Sequence, residues 1–216
     1  MKNTTSEYIP PQDNSKLDTT PASSQLDKWM MLDPDHGPDN VVVELGQLLK
    51  PGSTVFEFGA GRWRNAIPLS KSLMKVSVQD SWKTAIQDLA ENAQKNNYSI
   101  TTEASFAQEQ ELSGLFDACV CIRLLHFLSP VDARKVIRNM QDHTKPWGWN
   151  VLSFFTDETP HSKEYFFPSL EEMKYIYTSE GWPIYKIFPK TLSEPHPITG
   201  RIMHQQKIIF HRPIML

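Results

Sequence analysis

The residues best suited to chemistry lie in one short stretch, VFEFGAGRWRN, at positions 55–65. Two phenylalanines flank Glu57, and Gly59 and Gly61 follow it. An acidic side chain at the end of an apolar run is costly to bury unless a partner accompanies it. The glycines allow a sharp turn and a close approach to a ligand, and a following helix offers free N–H groups to an anion. The stretch therefore predicts a strand, a ligand-binding glycine turn and a helix start.

A second acidic residue, Asp80, ends the run VSVQD. It lies about 20 residues after the glycine turn, the separation at which an acid meets ribose hydroxyls in nucleotide-binding sheets. Trp82 follows by two positions and would cover an adenine face. Asp80 and Ser81 also precede a helical pattern, so an N-cap role is an alternative that is compatible with ribose binding.

The glycine turn favours S-adenosylmethionine (SAM) over a dinucleotide. A dinucleotide site has a third glycine where this chain has Trp63. SAM offers an ammonium group to Glu57, a carboxylate to the helix start and a ribose to Asp80. After the third strand, Ser105 and Phe106 occupy the usual place of an adenine-binding acid, so we expect a serine or backbone contact there. The motif predicts as cofactor-binding residues Glu57, Gly59, Ala60, Gly61, Asp80, Ser81, Trp82, Ser105 and Phe106. A strand-to-helix turn without any ligand is the alternative.

The apolar run FDACVCI leads into two further candidates, Arg123 and His126. In the sheet of class I SAM methyltransferases, the end of the corresponding strand faces the transferred methyl group. Both residues are therefore expected on the acceptor side. For His126 a buried structural position is the alternative.

Cys119 and Cys121 share one face of the strand and lack further metal ligands nearby in sequence, so we interpret them as reduced, buried thiols and predict no metal site.

The elements that must position these residues alternate between strand-like and helix-like patterns. The predicted strands are Thr54–Phe58, Val76–Asp80, Tyr98–Thr102, Phe116–Ile122, Asn150–Phe155, Pro183–Phe188 and Ile202–His211. The predicted helices are Val41–Leu49, Asn65–Leu73, Thr84–Asn96, Val131–His143 and Leu170–Glu180. Alternation followed by a closing hairpin predicts an α/β, Rossmann-like fold of the class I SAM-methyltransferase type. We expect a seven-stranded, mostly parallel sheet with one antiparallel strand and helices on both faces.

Length and composition limit the remaining possibilities. The 216 residues predict one domain over 26–216, preceded by a tail over 1–25 that is rich in Ser, Thr, Pro, Asn and Gln and that we expect to be flexible. The net charge of −3 and the lack of a basic cluster argue against a nucleic-acid partner. No run approaches the roughly 18 apolar residues of a membrane helix, and no signal-peptide core begins the sequence. We therefore expect a cytoplasmic protein without a membrane partner.

Four stretches carry a family resemblance: GAGRWRN, RNMQDHTKPWGWN, FFPSLEEMKYIYTSEGWPIYK and EPHPITGRI. They resemble the tellurite-resistance methyltransferases, the TehB-like branch of the class I enzymes, over residues 27–211. The resemblance implies metal-independent methyl transfer from SAM to a small acceptor such as tellurite, selenite or another soft nucleophile. S-adenosylhomocysteine (SAH) would be the product.

The resemblance also assigns roles to single residues. Asn65 matches the Arg-Asn pair after the family's glycine loop, and it joins the predicted cofactor-binding residues. Trp29 and His36, in LDKWMMLDPDH, match positions that help to close the cofactor site. This chain departs from the family at Trp63 and Trp147, where the family has glycines.

The acceptor is expected to meet His196 and Arg201, which match a histidine and an arginine in EPHPITGRI. A cationic pair suits an oxyanion, and a neutral His196 would accept a proton from it. With His126 they are the predicted catalytic residues, although a solvated turn is an alternative for the pair. Two other functions stay open: a degenerate family member that acts through protein contacts, and methylation of a protein or nucleic acid.

Overall fold

The computed structural model describes residues 37–159, 163–192 and 202–214. The predicted tail over 1–25 and four predicted site residues, Trp29, His36, His196 and Arg201, lie outside these ranges. No helix in the described ranges is long and apolar enough to span a bilayer.

The described residues form one eight-stranded sheet. Its strands are β1 Thr54–Phe58, β2 Lys75–Asp80, β3 Ile100–Ala104, β4 Phe116–Ile122, β5 Thr144–Phe155, β6 Ile184–Ile187, β7 Thr191–Leu192 and β8 His204–His211. The order is β3-β2-β1-β4-β5-β8-β6, and β7 pairs with β8. Strands β1 to β5 are parallel, and β8 runs antiparallel to β5, β6 and β7. The fold class and the single antiparallel strand are confirmed. The predicted count of seven strands is wrong because β7, with two residues, is too short to produce an apolar pattern.

Five helices within the described ranges cover both faces of the sheet, as predicted. They are α1 Asn40–Leu48, α2 Ala66–Lys71, α3 Lys83–Asn96, α4 Pro130–Asp142 and α5 Leu170–Thr178, with short 3-10 turns at Ala107–Glu109 and Leu125–Phe127. Helices α1 to α3 contribute to one apolar core, and α4 and α5 contribute to the core on the opposite face. The side chains of Asp39, Ser129 and Ser169 cap α1, α4 and α5 by accepting backbone N–H bonds.

Several predicted strand bounds need correction: β3 ends at Ala104 rather than Thr102, and β8 begins at His204 rather than Ile202. Strand β3 begins at Ile100 rather than Tyr98, and β5 begins at Thr144 rather than Asn150. The sequence around Pro146 and Gly148 resembles a turn. The structure instead continues the strand there through a bulge, since Phe116 pairs with Thr144 and Ala118 pairs with Trp149.

The strand order creates a crevice between β1 and β4. The chain leaves β1 toward β2 and β3 on one side and returns to β4 on the other, so the loops after β1 and β4 diverge. Ligands of open α/β sheets bind at the carboxyl ends of the strands at such a switch point. The glycine turn, Arg123 and His126 all lie after one of these two strands.

Candidate cofactor and acceptor site

The turn after β1 has a backbone that favours glycine. Gly59 has a φ of 70° and Gly61 a φ of 52°. A Cβ atom on Gly59 would lie 3.1 Å from the side chain of Leu124, in the loop after β4. The N–H groups of Gly59 and Ala60 both donate to the carbonyl of Gln79, which ties the turn to β2. The turn is therefore held between the two neighbouring strands.

Glu57 is fully buried, and only half of its carboxyl group has a partner. Its Oε1 accepts a 2.7 Å hydrogen bond from Asn65 Nδ2, but Oε2 has no hydrogen-bond partner among the described residues. Burial raises the pKa of Glu57 to about 8; the Asn65 hydrogen bond and Arg64 lower it, and Asp80 raises it. A cation placed at Oε2 would reverse this shift.

Asp80 closes the other side of the turn. Its Oδ2 accepts from the backbone N–H of Gly61 at 2.7 Å, and its Oδ1 accepts from that of Trp82 at 2.8 Å. Burial raises the pKa of Asp80, and the backbone donors from Trp82, Gly61 and Ser81 oppose that rise. The N-cap residue of α3 is Trp82 rather than Asp80 or Ser81. Asp80 instead accepts a hydrogen bond from the backbone N–H of Trp82, the residue directly before the first residue of α3.

The residues predicted to surround adenine lie next to Asp80. The backbone N–H of Ser105 donates to the Asp80 carbonyl at 3.2 Å, and half-buried Phe106 follows it. The Ser105 hydroxyl donates to Gln110, a buried residue that the sequence did not reveal because its partners are set by the 3-10 turn. The Trp82 ring lies 5.3 Å from the Arg62 guanidinium, and its Nε1 is buried without a partner in the part of the chain described.

The polar edge of the Trp63 ring, its indole N–H, lies outside the crevice. Trp63 has a left-handed φ of 67°, a backbone conformation that favours glycine, which is the residue that the family resemblance predicts at this position. Its indole Nε1 donates to the carbonyl of Ala85 in α3 at 2.9 Å, and the ring packs against the core on that face. The bulky side chain is thereby accommodated against a helix.

A network of charged residues lies beside Glu57. Asn65 accepts from the backbone N–H of buried Asp39 at 3.0 Å. Asp39 forms ion pairs with Arg64 at 3.3 Å and with Lys207 of β8 at 2.9 Å. The sequence did not predict a role for Asp39 or Lys207, although Lys207 directly precedes the apolar part of its strand and Asp39 precedes a helix.

Arg123 and His126 follow β4, as predicted, but in different surroundings. Arg123 has a φ of 53°, and its backbone N–H donates to the carbonyl of Ser153 at 2.7 Å. His126 is 2% exposed, with ring centroids of Phe127 and Phe155 at 3.9 and 4.6 Å. Burial and then Arg123 lower the pKa of His126 to about 3, so its ring is neutral near pH 7. This matches the buried position that the sequence left open; a catalytic role for His126 stays a prediction.

Comparisons with known proteins agree on family and fold. The model of the family described as "Tellurite resistance protein TehB" matches residues 27–196. A probable SAM-dependent methyltransferase TehB of Haemophilus influenzae (strain 10810) is 28% identical over 139 residues, which is 63% of this chain and 48% of the relative. The chain thus spans about half the length of the curated TehB relatives that it matches.

Two solved structures share the fold. The crystal structure of TehB from Haemophilus influenzae superposes with a TM-score of 0.70 at 23% identity, covering 81% of this chain and 62% of that one. Magnesium protoporphyrin IX methyltransferase from Synechocystis, solved with bound SAM, gives a TM-score of 0.59 at 18% identity, covering 79% and 74% of the two chains.

Proposed function

This chain belongs to the TehB family of tellurite resistance proteins, and we propose that it is a SAM-dependent methyltransferase with a small-molecule acceptor. The observation that carries the proposal is the buried Oε2 of Glu57, which has no partner in the described ranges and lies beside the glycine turn. An ammonium group would satisfy it, because a nearby cation stabilises a buried carboxylate. The activity named for the Haemophilus relative supports the same cofactor.

The other residues around the turn also fit SAM. Asp80 accepts two of its hydrogen bonds from backbone N–H groups, and an ionised carboxylate offers about four acceptor positions. It therefore retains acceptor capacity for ribose hydroxyls. Trp82, Ser105 and Phe106 would line the adenine side, and Asn65 holds the Glu57 carboxyl in place.

The chain's contribution to methyl transfer would be positioning. Bound SAM supplies a methyl group that is already activated on a sulfonium. Glu57 and Asp80 would orient the donor, and the loops after β1 and β4 would hold the acceptor in line and exclude water. Such positioning contributes on the order of 7–11 kcal/mol in favourable cases. An anionic acceptor needs little acid–base chemistry, which agrees with a buried, neutral His126.

For the acceptor we propose a tellurite- or selenite-type oxyanion or another soft nucleophile, following the family description. His196 and Arg201 remain the predicted acceptor residues, and Trp29 and His36 the predicted lid, although all four lie outside the described residues. A cytoplasmic location is part of the same proposal.

Titration of SAM and SAH into the purified full chain tests the cofactor site. Ligand at 100 times its dissociation constant should stabilise the fold by about 2.7 kcal/mol. Glu57→Ala and Asp80→Ala should each weaken binding about tenfold or more, whereas Glu91→Ala, which removes an exposed carboxylate from α3, should not. Unchanged binding in both site variants would contradict the assignment.

Release of SAH from SAM in the presence of selenite or tellurite tests the activity. Production of SAH that depends on the oxyanion is the expected result. SAM binding without turnover of either oxyanion would contradict this acceptor. It would favour the alternative of a degenerate SAM-binding member that acts through protein contacts.

A further inference from the structure

Three cationic side chains and the carboxylate of Asp39 lie beside the crevice. Arg64 and Lys207 both pair with Asp39. Arg123 lies near enough that Arg64 lowers its pKa and Asp39 raises it, although burial is the largest influence and the pKa falls to about 10. Two other acids lie nearby: burial raises the pKa of Glu57 to about 8, so that it is largely uncharged at neutral pH, and burial also raises the pKa of Asp80. This part of the site therefore has an excess of positive charge.

The excess is concentrated on Arg123. Its guanidinium has no ion pair or hydrogen bond with any residue in the described ranges, and its Nε is buried. Lys207, by contrast, binds Asp39 at 2.9 Å and Asn40 at 2.7 Å. A mostly buried guanidinium without an anion costs free energy, whereas one paired with an anion does not carry the same penalty. Among the described residues, Arg123 is thus the cation of this cluster that has no partner.

The backbone of Arg123 is held in place between three strands. Cys121, two residues earlier, pairs with Phe58 of β1, and Ile122 pairs with Ser153 of β5. The Arg123 N–H donates to Ser153, and Leu124 contacts the glycine turn. Its left-handed φ of 53° is strained in a residue other than glycine. Backbone strain of this kind concentrates at ligand sites.

The side of the crevice next to Arg123 is polar. Ser153 accepts a hydrogen bond from the side chain of Gln205 and pairs with Lys207 across the two strands. These residues come from β5 and β8, whereas the predicted SAM residues come from the ends of β1 and β2 and from the loops after β1, β2 and β3. Arg123 therefore lies between the predicted donor side and a polar wall that the donor does not require.

We propose that Arg123 binds an oxyanion group of the methyl acceptor, either an organic carboxylate or an inorganic oxyanion, and thereby selects anionic acceptors. The inference rests on the proposed function and names the residue that gives its acceptor site a preference for negative charge. A planar guanidinium donates two parallel hydrogen bonds to such a group, and lysine cannot reproduce that geometry.

Calorimetric titration of the SAH-saturated full chain tests this proposal with three probes. Selenite represents an inorganic oxyanion, and mercaptoacetate represents an organic carboxylate. 2-Mercaptoethanol is the neutral counterpart of the second probe and has nearly the same size. At least one anion should bind the wild type about tenfold more tightly than the neutral thiol does. The anion or anions that bind identify the source of the oxyanion group.

Arg123→Gln should weaken anion binding about tenfold or more while changing the affinities for SAH and 2-mercaptoethanol less than about twofold. Arg123→Lys should give an intermediate anion affinity. Arg138→Gln, which removes an exposed cation from α4, is the matched control and should bind like the wild type. Glutamine at position 123 causes the same strain at the left-handed φ as arginine does, so the variant is expected to fold.

Two results would overturn the inference. The first is that neither anion binds the SAH-loaded wild type more tightly than the neutral thiol. The second is that Arg123→Gln weakens SAH binding as strongly as anion binding, which would assign Arg123 to the cofactor's carboxylate. Failure of the wild type to bind SAH at all would instead contradict the proposed function, so the two failures are distinguishable.

Discussion

Glu57 and Asp117 are acidic residues near opposite ends of the paired strands β1 and β4, and their surroundings differ. Asp117 Oδ2 accepts from the N–H and hydroxyl of Thr54 at 2.7 and 2.9 Å and from Lys145 at 2.8 Å. Burial raises the pKa of Asp117, but Lys145 and Thr54 outweigh it and the net shift is downward. Glu57 has one donor, Asn65, and a pKa raised to about 8.

The same contrast extends to the other polar groups at the two ends. At the amino end, Asn150 donates to Thr144 at 2.6 Å and accepts from Tyr177 at 2.9 Å, and Thr144 donates to the Met140 carbonyl. Buried atoms without a partner, counted among the described residues, include several at the carboxyl end: Glu57 Oε2, Trp82 Nε1, Arg123 Nε, His126 Nδ1 and Thr156 Oγ1. Satisfied polar groups stabilise a fold, whereas unsatisfied buried ones call for a ligand. We infer that the amino end maintains the fold and the carboxyl end binds.

The largest expected difference between the two ends is in the pH dependence of stability. The folded state binds the Glu57 proton up to about pH 8, whereas the unfolded chain loses it near 4.5. Stability from this group is therefore complete below about pH 4.5 and declines as the pH rises to 8. Glu57→Gln should remove a decline on the order of 4 kcal/mol across this window. Chemical denaturation of both proteins at several pH values measures it.

The contribution of Asp117 to stability should change with pH in the opposite direction and over a lower pH range. Its folded pKa lies below its ordinary value of 3.8, so its contribution is present above about pH 4 and is lost as the pH falls further. Asp117→Asn serves as the control because it should leave the slope between pH 5 and 8 unchanged. Parallel stability curves for Glu57→Gln and the wild type across that range would contradict the expected difference between Glu57 and Asp117.

A glycine at each end provides the next test. A Cβ on Gly148 would lie 2.6 Å from Thr144 Cγ2 and 2.8 Å from the carbonyls of Asp117 and Lys145. Gly148→Ala should therefore cost about 3 kcal/mol and leave SAM affinity unchanged. Gly59→Ala presses instead on the flexible Leu124 side chain and strains the ligand turn, so it should lower SAM affinity. Denaturation curves and SAH titrations of both variants separate these outcomes, and a loss of SAH affinity in Gly148→Ala would contradict them.

Removal of the Asp117 charge should have a smaller effect. Asp117→Asn weakens the pair with Lys145 and the bonds from Thr54, and these groups are partly exposed. We expect a loss of about 1 kcal/mol in the free energy of unfolding, because solvent screens exposed pairs. SAM affinity should not change. A variant that loses SAM binding but keeps its stability would show that the amino end also serves the ligand.

The sequence predicted most of the fold because the central strands are buried on both faces. The predicted bounds of β1 and β4 match the structure residue for residue, since each strand is a short, mostly apolar run with clear ends. The start of β5 was missed because Pro146 and Gly148 are turn residues in most contexts. Only the paired strand β4 shows that the chain continues through a bulge.

For the site, the sequence located residues that are fixed relative to the glycine turn. Glu57 and Asp80 fall in this class because each ends a strand next to that turn. The partnership of Asp39 with Lys207 was not predictable, because β8 reaches α1 only after the chain has completed the sheet. The orientation of Trp63 was also hidden, since a left-handed backbone directs the indole toward α3 instead of into the crevice.

The smallest expected effect concerns two tryptophans at positions where the family resemblance predicts glycine, one near each end of the sheet. Trp147 has a φ of 65° and is 61% exposed, with its ring 5.3 Å from that of His211. Trp147→Gly and Trp147→Ala lose the same ring contact, so their difference isolates the backbone strain. Glycine should be more stable by about 1 kcal/mol.

Trp63 differs from Trp147, because its indole donates to the carbonyl of Ala85 and packs against the core. The glycine–alanine difference should be similar at position 63, but both variants should lie about 2 kcal/mol below the wild type. Trp147→Gly should remain within about 1 kcal/mol of the wild type. Denaturation midpoints of the four variants measure both quantities. If Trp147→Gly proves as destabilising as Trp63→Gly, the exposed tryptophan has a stabilising contact beyond the ring of His211.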